Sequence, residues 1–239
     1  MENEVQVKTE HLVKRYPMGA ESFPALQDIN LQFMKGEFTG IVGPSGSGKT
    51  TLLNIIGTLD KPTEGEALLL GKTISKLTHK EGAKIRNEHL GFIFQTYNLL
   101  PVYTVFENVE FPLLLLSMEK KERDEAVWQA LEWMQITEKA KVKPNQLSGG
   151  QAQRVAIARS IVKKPKIVIA DEPTANLDAK NSHRILQLMV DLNKDLQTTF
   201  IFSTHDEKVI QYLRRIINLE DGRVASDELV ELNGIATQE

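Results

Sequence analysis

Gly43-Pro44-Ser45-Gly46-Ser47-Gly48-Lys49-Thr50 fills every fixed position of the phosphate-loop pattern GxxxxGK[ST]. The apolar run Phe38 to Val42 leads into it, and Leu52, Leu53, Ile55 and Ile56 lead out at the spacing of a buried helix. That is the strand–loop–helix setting the pattern requires. Its glycines let successive backbone N–H groups turn inward around an anion, and the helix that follows points its positive end at the same spot. Lys49 supplies a point charge for the β- and γ-phosphates of a nucleotide, and Thr50 an oxygen for Mg²⁺. Thr51 follows on the same helix start and is taken with this set. An ordinary Gly/Ser turn would need none of these flanks. Nucleotide binding is implied.

The rest of the chain sets the bounds. Its 239 residues suffice for one good core or two small ones, and 41% hydrophobic with 26% charged residues is ordinary for a globular protein. The 29 basic and 32 acidic residues leave a net charge of −3, so no global field attracts nucleic acid, and no nucleic-acid partner is expected. Zero cysteines exclude disulfides and thiolate metal sites. Met1-Glu2-Asn3-Glu4 lacks the basic and apolar regions of a signal peptide, and the densest apolar run, Phe111 to Leu116, is too short to span a bilayer.

Val5, Val7 and Thr9 alternate as in a strand, as do Ile29, Leu31 and Phe33, with Lys14-Arg15-Tyr16-Pro17 read as a loop between them. A short strand is expected at Glu66–Leu70. Thr78-His79-Lys80-Glu81 and Thr104-Val105-Phe106-Glu107 have capping-box spacing and should open helices, the first running to about Asn87. Between those two helices, Leu90–Phe94 reads as a buried strand ending on Gln95. Val127, Ala130, Leu131 and Met134 form a helical stripe. From Lys166 the runs Ile167–Ala170, Phe200–Phe202 and Ile216–Leu219 are apolar throughout, as parallel strands buried on both faces are. Ile185, Leu188, Met189 and Leu192 mark the helix joining the first two, a right-handed crossover. Asp221-Gly222 signals a tight turn, and the tail beyond Asp227 says little.

Asp171 and Glu172 end the strand Ile167–Ala170, where a doubly wound sheet presents its ligands. Asp171 suits Mg²⁺, and Glu172 suits polarising an attacking water. Leu147-Ser148-Gly149-Gly150-Gln151 precedes a helix with Val155, Ala158, Ile161 and Val162 on one face, so it is either a second anion site or a plain N-cap. Here the run from Leu147 to Asp178, LSGGQAQRVAIARSIVKKPKIVIADEPTANLD, resembles the signature, Walker-B and D-loop block of the ATP-binding-cassette family.

That resemblance implies an α/β fold: a phosphate-loop NTPase (RecA-like) core with a mainly parallel sheet, an N-terminal antiparallel β subdomain and an inserted helical subdomain. One such ATPase domain would span 1–239, with its core at about 1–95 and 160–226, the helical part at about 96–159 and a tail at 227–239. Tyr16 resembles the aromatic that stacks on adenine, and Gln95 the glutamine that touches Mg²⁺ and senses the transporter. His205 is similar to the switch histidine at the γ-phosphate, and Asp178 to the D-loop aspartate at the subunit boundary. Ser148, Gly149, Gly150 and Gln151 would close over ATP held by the phosphate loop of a second copy, making a homodimer in the ATP-bound state. Ala152 departs from the Gln or Glu common in relatives and is expected to alter helix surface. Lys49, Glu172 and His205 are the catalytic set, and Thr50, Gln95 and Asp171 the metal set. His205, His183 and His89 are not expected to form a metal centre of their own.

The segment Gly91 to Pro101 with Glu107-Asn108-Val109 and Pro112-Leu113 resembles a narrower branch, that of lipoprotein-release and macrolide-export (LolD/MacB-like) and cell-division ATPases. The resemblance implies an ATP-hydrolysing subunit on the cytoplasmic face of the plasma membrane, powering a separate integral-membrane permease for export, lipoprotein release or mechanotransmission. A regulatory ATPase of a signalling or division complex is the alternative. Tyr97, Leu99 and Leu100 are expected to form a groove for a cytoplasmic helix of the permease.

Overall fold

A long antiparallel hairpin opens the computed structural model, which describes residues 4–19 and 21–230; Met1–Asn3 and residues 231–239 lie outside them. Its strands are β1 (Val5–Met18) and β2 (Glu21–Met34), with Val7 opposite Phe33 and Thr9 opposite Leu31. The register shifts between Thr9 and Arg15, so the hairpin bends and twists rather than ending. The expected loop at Lys14–Pro17 is therefore strand, and Tyr16 pairs with Phe23 across it. Pro17 interrupts the sequence pattern, yet at the far end of a hairpin no ladder depends on its missing N–H.

β3 (Phe38–Val42) runs through the phosphate loop into α1 (Lys49–Ile56). β4 (Glu64–Leu69), two residues earlier than expected, and β5 (Lys72–Thr73) complete a four-stranded antiparallel sheet ordered β2-β1-β4-β5. α2 (His79–His89) begins with the expected capping box, Thr78 N–H donating to Glu81 at 2.8 Å, and runs two residues past Asn87 into β6 (Leu90–Ile93). The helical region follows. α3 (Val105–Glu110) is capped by Thr104 and Glu107, and α4 (Lys120–Trp133) buries Val127, Ala130 and Leu131. α5 (Gly149–Ile161) leads back to β7 (Ile167–Asp171), α6 (Ala179–Leu196), β8 (Thr199–Thr204), the short α7 (Glu207–Ile210), β9 (Arg215–Glu220) and β10 (Arg223–Leu229).

The larger sheet has the order β10-β9-β3-β8-β7-β6, parallel except for the edge strand β10. Its two faces explain the unbroken apolar runs. Ile41, Ile167, Ile169 and Ile201 face α1 and the antiparallel sheet, whereas Phe38, Val168, Ala170, Phe200 and Phe202 face the helices on the other side. Each strand residue thus enters one of two cores, and a polar residue at either phase would be buried. Phe38 sits between Phe200 and Phe202, with ring centroids 5.5 and 4.7 Å away.

β9 departs from that pattern. It buries Ile217 and Leu219 but leaves Ile216, which packs at the margin of the second core, and Asn218 half-covered. The weakly informative tail is also structured as far as Leu229. Arg215 donates to both carboxylate oxygens of Asp227, each at 2.7 Å, and to Glu37 at 3.0 Å, which ties β10 to the sheet. The Asp227 hydrogen bonds hold the Arg215 guanidinium above its ordinary pKa despite burial. Asp221 and Gly222 make the turn with positive φ at both residues, 45° and 74°.

Candidate functional site

A cleft of about 460 Å³ opens where β3, β7 and β8 end, the C-terminal edge of the parallel strands. Ser45, Gly46, Gly48, Lys49, Thr50 and Thr51 line one wall, Asp171, Glu172 and His205 another, and Tyr16, Phe23, Ala25 and Gln95 the mouth. Gly43, Pro44 and Ser47 belong to the loop without facing the cleft. Gly43 and Pro44 offer their carbonyls to the Lys49 ammonium at 2.7 and 2.8 Å, and Ser47 is buried with its carbonyl held by Gly222 N–H at 3.1 Å.

The loop's shape depends on glycine at Gly48, the residue that caps α1 at φ 104°. A Cβ there would lie 2.5 Å from the Ala25 carbonyl oxygen, so both the backbone angle and the packing exclude a side chain. The free N–H groups at the start of α1 face the cleft beside the Lys49 charge. The arrangement can hold a polyphosphate.

Across from it, Thr50 Oγ1 lies 3.3 Å from each carboxylate oxygen of Asp171, which also accepts a hydrogen bond from Ser203. A hydroxyl and a carboxylate converging at this distance form a hard-oxygen donor set, which fits Mg²⁺. Among the described residues no cluster of three or more His, Cys, Asp or Glu could hold a metal alone, so the remaining ligands would have to come from phosphate and water.

Glu172 stands next to Asp171 with φ 47°, a strained backbone for a residue bearing a side chain. Its amide donates to Ser203 O at 3.1 Å, and its carboxylate meets His205 Nδ1 at 2.7 Å. Helix α7 is capped by Asp206 rather than His205, which leaves the imidazole exposed to the cleft. A carboxylate and an imidazole in contact can align a water and manage its proton.

Tyr16 presents its ring at the mouth. Its hydroxyl donates to Asp60 at 2.9 Å, and the Lys14 ammonium lies 4.9 Å from the ring centroid. Burial and the Asp60 hydrogen bond both raise the phenol pKa, so it stays neutral. Phe23, missed from the sequence, extends the aromatic wall. Its signal is its position directly opposite Tyr16 in the hairpin, which depends on Lys14–Pro17 being strand.

Ser148, Gly149, Gly150 and Gln151 are not brought into this cleft, and neither is Asp178. Ser148 and Gly149 are exposed at the start of α5. Ser148 and Gln151 form a capping box, Ser148 N–H donating to Gln151 Oε1 at 2.9 Å, so the Gln151 side chain shapes the helix start. Gly150 packs on the start of α6, where a Cβ would lie 3.0 Å from Asn181. Asp178 caps α6 through Asn181 N–H at 3.0 Å, and the two Asn181 hydrogen bonds hold its carboxyl below the usual range. Ala152 is 8% exposed and faces the core, not the helix surface as expected, so a larger residue there would have to be accommodated inside.

The segment after Gln95 joins these regions. Asn176 donates to the Gln95 carbonyl at 2.9 Å, and Arg159 donates to the carbonyls of Tyr97 and Asn98 at 2.7 and 2.6 Å. Tyr97 and Asn98 both have positive φ, which turns the chain sharply. Leu99, expected on the groove, packs inward against the core formed with the helices, whereas Leu100 lines an apolar groove of about 520 Å³.

Comparison with known proteins places this geometry. Residues 26–175 match the family model described as ABC transporter. An uncharacterized ABC transporter ATP-binding protein from Methanocaldococcus jannaschii, MJ0796, is 46% identical over 226 residues, covering 93% of this chain and 96% of that protein. The lipoprotein-releasing system ATP-binding protein LolD of Legionella pneumophila is 40% identical, over 95% of this chain and all of that one (100%). A solved structure of the MJ0796 cassette, a dimer in a post-hydrolysis state bound to ADP and Pi, superposes with a TM-score of 0.86 at 45% identity, covering 96% of this chain and 100% of that one.

Proposed function

The chain belongs to the ABC transporter ATP-binding family and is an ATPase, and from that premise we propose that two copies pair head to tail to power a separate membrane permease. One observation carries the pairing. The phosphate-loop cleft and the turn that starts α5, with Ser148 and Gly149 exposed and Gly150 packed beneath them, lie on different parts of one chain, so neither makes a complete site alone. In a head-to-tail dimer each turn would cover the nucleotide in the other copy's cleft. The MJ0796 cassette described as a dimer supports this reading.

In the paired state the phosphate chain lies in the loop from Gly43 to Thr51, with Lys49 leaving its carbonyl partners for the β- and γ-phosphates. Tyr16 stacks on the base. Thr50 and Asp171 would hold Mg²⁺, with Gln95 at its edge; bound there, it would neutralise phosphate charge. Glu172 orients a water for in-line attack, and His205 steadies Glu172 and the γ-phosphate. Ser148 and Gly150 of the other copy donate to the same phosphate, so loss of that group removes the bonds that hold the copies together. Asp178, at the boundary, would sense the partner copy.

The permease reading rests on the family and on the groove beside Gln95. No described helix is long and apolar enough to cross a membrane. The groove between the sheet edge and the helical region is lined by Leu59, Leu90, Phe92, Phe94, Leu100 and Phe111 and suits one amphipathic helix of an integral-membrane subunit. The chain would then sit on the cytoplasmic face of the membrane. Among transport tasks, lipoprotein release or a related force-transmitting role agrees with the similarity to LolD. The pairing is tested by size-exclusion chromatography of Glu172→Gln with and without ATP. A dimer only with ATP is expected; a monomer that binds ATP at saturation would refute it.

A further inference from the structure

Phe200, Ile201 and Phe202 of β8 are apolar and buried, and Ser203, which follows them, is buried just as fully, at 0% exposed. It is in phase with Ile201, on the face of the sheet that packs against α1. Its ladder neighbours are Ile41 on one side and Asp171 on the other. A hydroxyl in such a place costs free energy unless it is hydrogen-bonded, and an apolar residue would continue the core without that cost. The hydroxyl donates to Asp171 Oδ1.

That bond does what the contact with Thr50 does not. Thr50 Oγ1 stands 3.3 Å from Oδ1 and 3.3 Å from Oδ2, so it selects neither oxygen. Ser203 meets Oδ1 alone. A carboxylate held at one oxygen by a buried, charge-assisted hydrogen bond does not rotate freely about its Cβ–Cγ bond. Oδ2 is left with Thr50 as its hydrogen-bond neighbour. The backbone of the same serine serves the next carboxylate, Ser203 O accepting from Glu172 N–H at 3.1 Å. One residue near the end of β8 thus holds both acids at the end of β7.

We propose that Ser203 is a positioning residue for the divalent cation: its hydroxyl occupies Oδ1 of Asp171, fixes the carboxylate plane and keeps Oδ2 for the cation or for a water bound to it. This rests on the reading of Thr50 and Asp171 as cation donors and adds what aims one of them. Residues that hydrogen-bond a metal ligand set its orientation, and losing one costs about 10- to 100-fold in metal affinity. Without the Ser203 hydroxyl, Asp171 would keep its charge but not its orientation. The strengthening of nucleotide binding by Mg²⁺ should then shrink, while binding of the nucleotide without the cation should hold.

The test uses the full chain and a fluorescent, non-hydrolysable ATP analogue, whose dissociation constant is measured in saturating Mg²⁺ and again in EDTA. The ratio of the two constants reports how far the cation strengthens binding. Ser203→Val and Ser203→Thr share a shape and differ by the hydroxyl, so any packing damage is common to both. The ratio for Ser203→Val should fall at least about fivefold below that for Ser203→Thr, with both affinities in EDTA within about twofold of wild type. Equal ratios for the two variants would overturn the inference. Affinity lost equally in Mg²⁺ and in EDTA by Ser203→Val, with a lower melting temperature, would make the hydroxyl a structural tie and overturn it as well. Asp171→Asn separates this inference from the reading beneath it and should bring the ratio close to one. An unchanged ratio in Asp171→Asn would refute Asp171 as a cation donor, whereas its loss there with equal ratios for the Ser203 pair would refute Ser203 alone. If neither branched variant folds, Ser203→Ala against wild type is read by the same criteria.

Discussion

Replacing Glu172 with glutamine should separate binding ATP from cleaving it. The Glu172 carboxylate is 16% exposed and touches His205 Nδ1 at 2.7 Å, but it takes no part in the phosphate loop. Glutamine keeps the volume and can still hydrogen-bond to His205, so the strained turn at φ 47° should survive. What is lost is the negative charge that, under the proposed mechanism, would draw a proton from the attacking water. A positioned base is worth about 10²- to 10⁴-fold, equivalent to roughly 3–5 kcal/mol of barrier. The ground state loses a carboxylate near the γ-phosphate, so affinity for ATP should hold or improve. Phosphate release and calorimetric ATP binding are measured on the same preparation. A kcat within about threefold of wild type would refute the assignment of Glu172 as base, and a large loss of ATP affinity would show that the substitution had broken the site itself.

Tyr16→Phe should leave the KM for ATP nearly unchanged, because the ring remains and only the Asp60 hydrogen bond goes, whereas Tyr16→Ala should raise KM several-fold; steady-state kinetics decides. Arg215→Met leaves Glu37 and Asp227 without their shared cation, at a cost of about 2–4 kcal/mol, which scanning calorimetry should register as a melting temperature lower by roughly 5–12 °C. Leu99→Asp should destabilise the isolated chain, since Leu99 packs against the core, while Leu100→Asp on the groove should fold normally and lose stimulation by the permease; thermal melts alongside ATPase assays separate the two.

Much of the fold was legible because local and global signals agree. The phosphate-loop pattern fixes a strand before it and a helix after it, and both are present as β3 and α1. Thr78 with Glu81 and Thr104 with Glu107 place two helix starts to the residue, since reciprocal capping satisfies donors that nothing else nearby can. The continuous apolar runs become β7 and β8 because each face of the sheet has its own core. What failed depended on distant partners. Lys14–Pro17 is polar and ends in proline, so only its pairing with Pro24, Phe23 and Ser22 makes it strand. β10 is held by Arg215, twelve residues before Asp227 and across a turn, which no local window weighs. Leu99 and Leu100 read alike in sequence; positive φ at Tyr97 and Asn98 sends one inward and the other to the groove. For the site, the phosphate loop, Asp171, Glu172 and His205 meet in one cleft, while Ser148–Gln151, expected from the family resemblance to serve a second copy, lie outside it at a place set by how α5 packs against α6.

If a complete site needs two chains, complementation between two inactive variants tests it most directly. Lys49→Ala removes the phosphate cation but keeps the Ser148 turn. Ser148→Asp keeps a good helix cap and places a carboxylate where the other copy's γ-phosphate would lie. Each variant alone should lack ATPase activity. Mixed in equal amounts, half the dimers pair one of each and have one intact site, so activity should return to about a quarter of wild type. No recovery on mixing, with both variants folded and Ser148→Asp still binding ATP, would contradict the account.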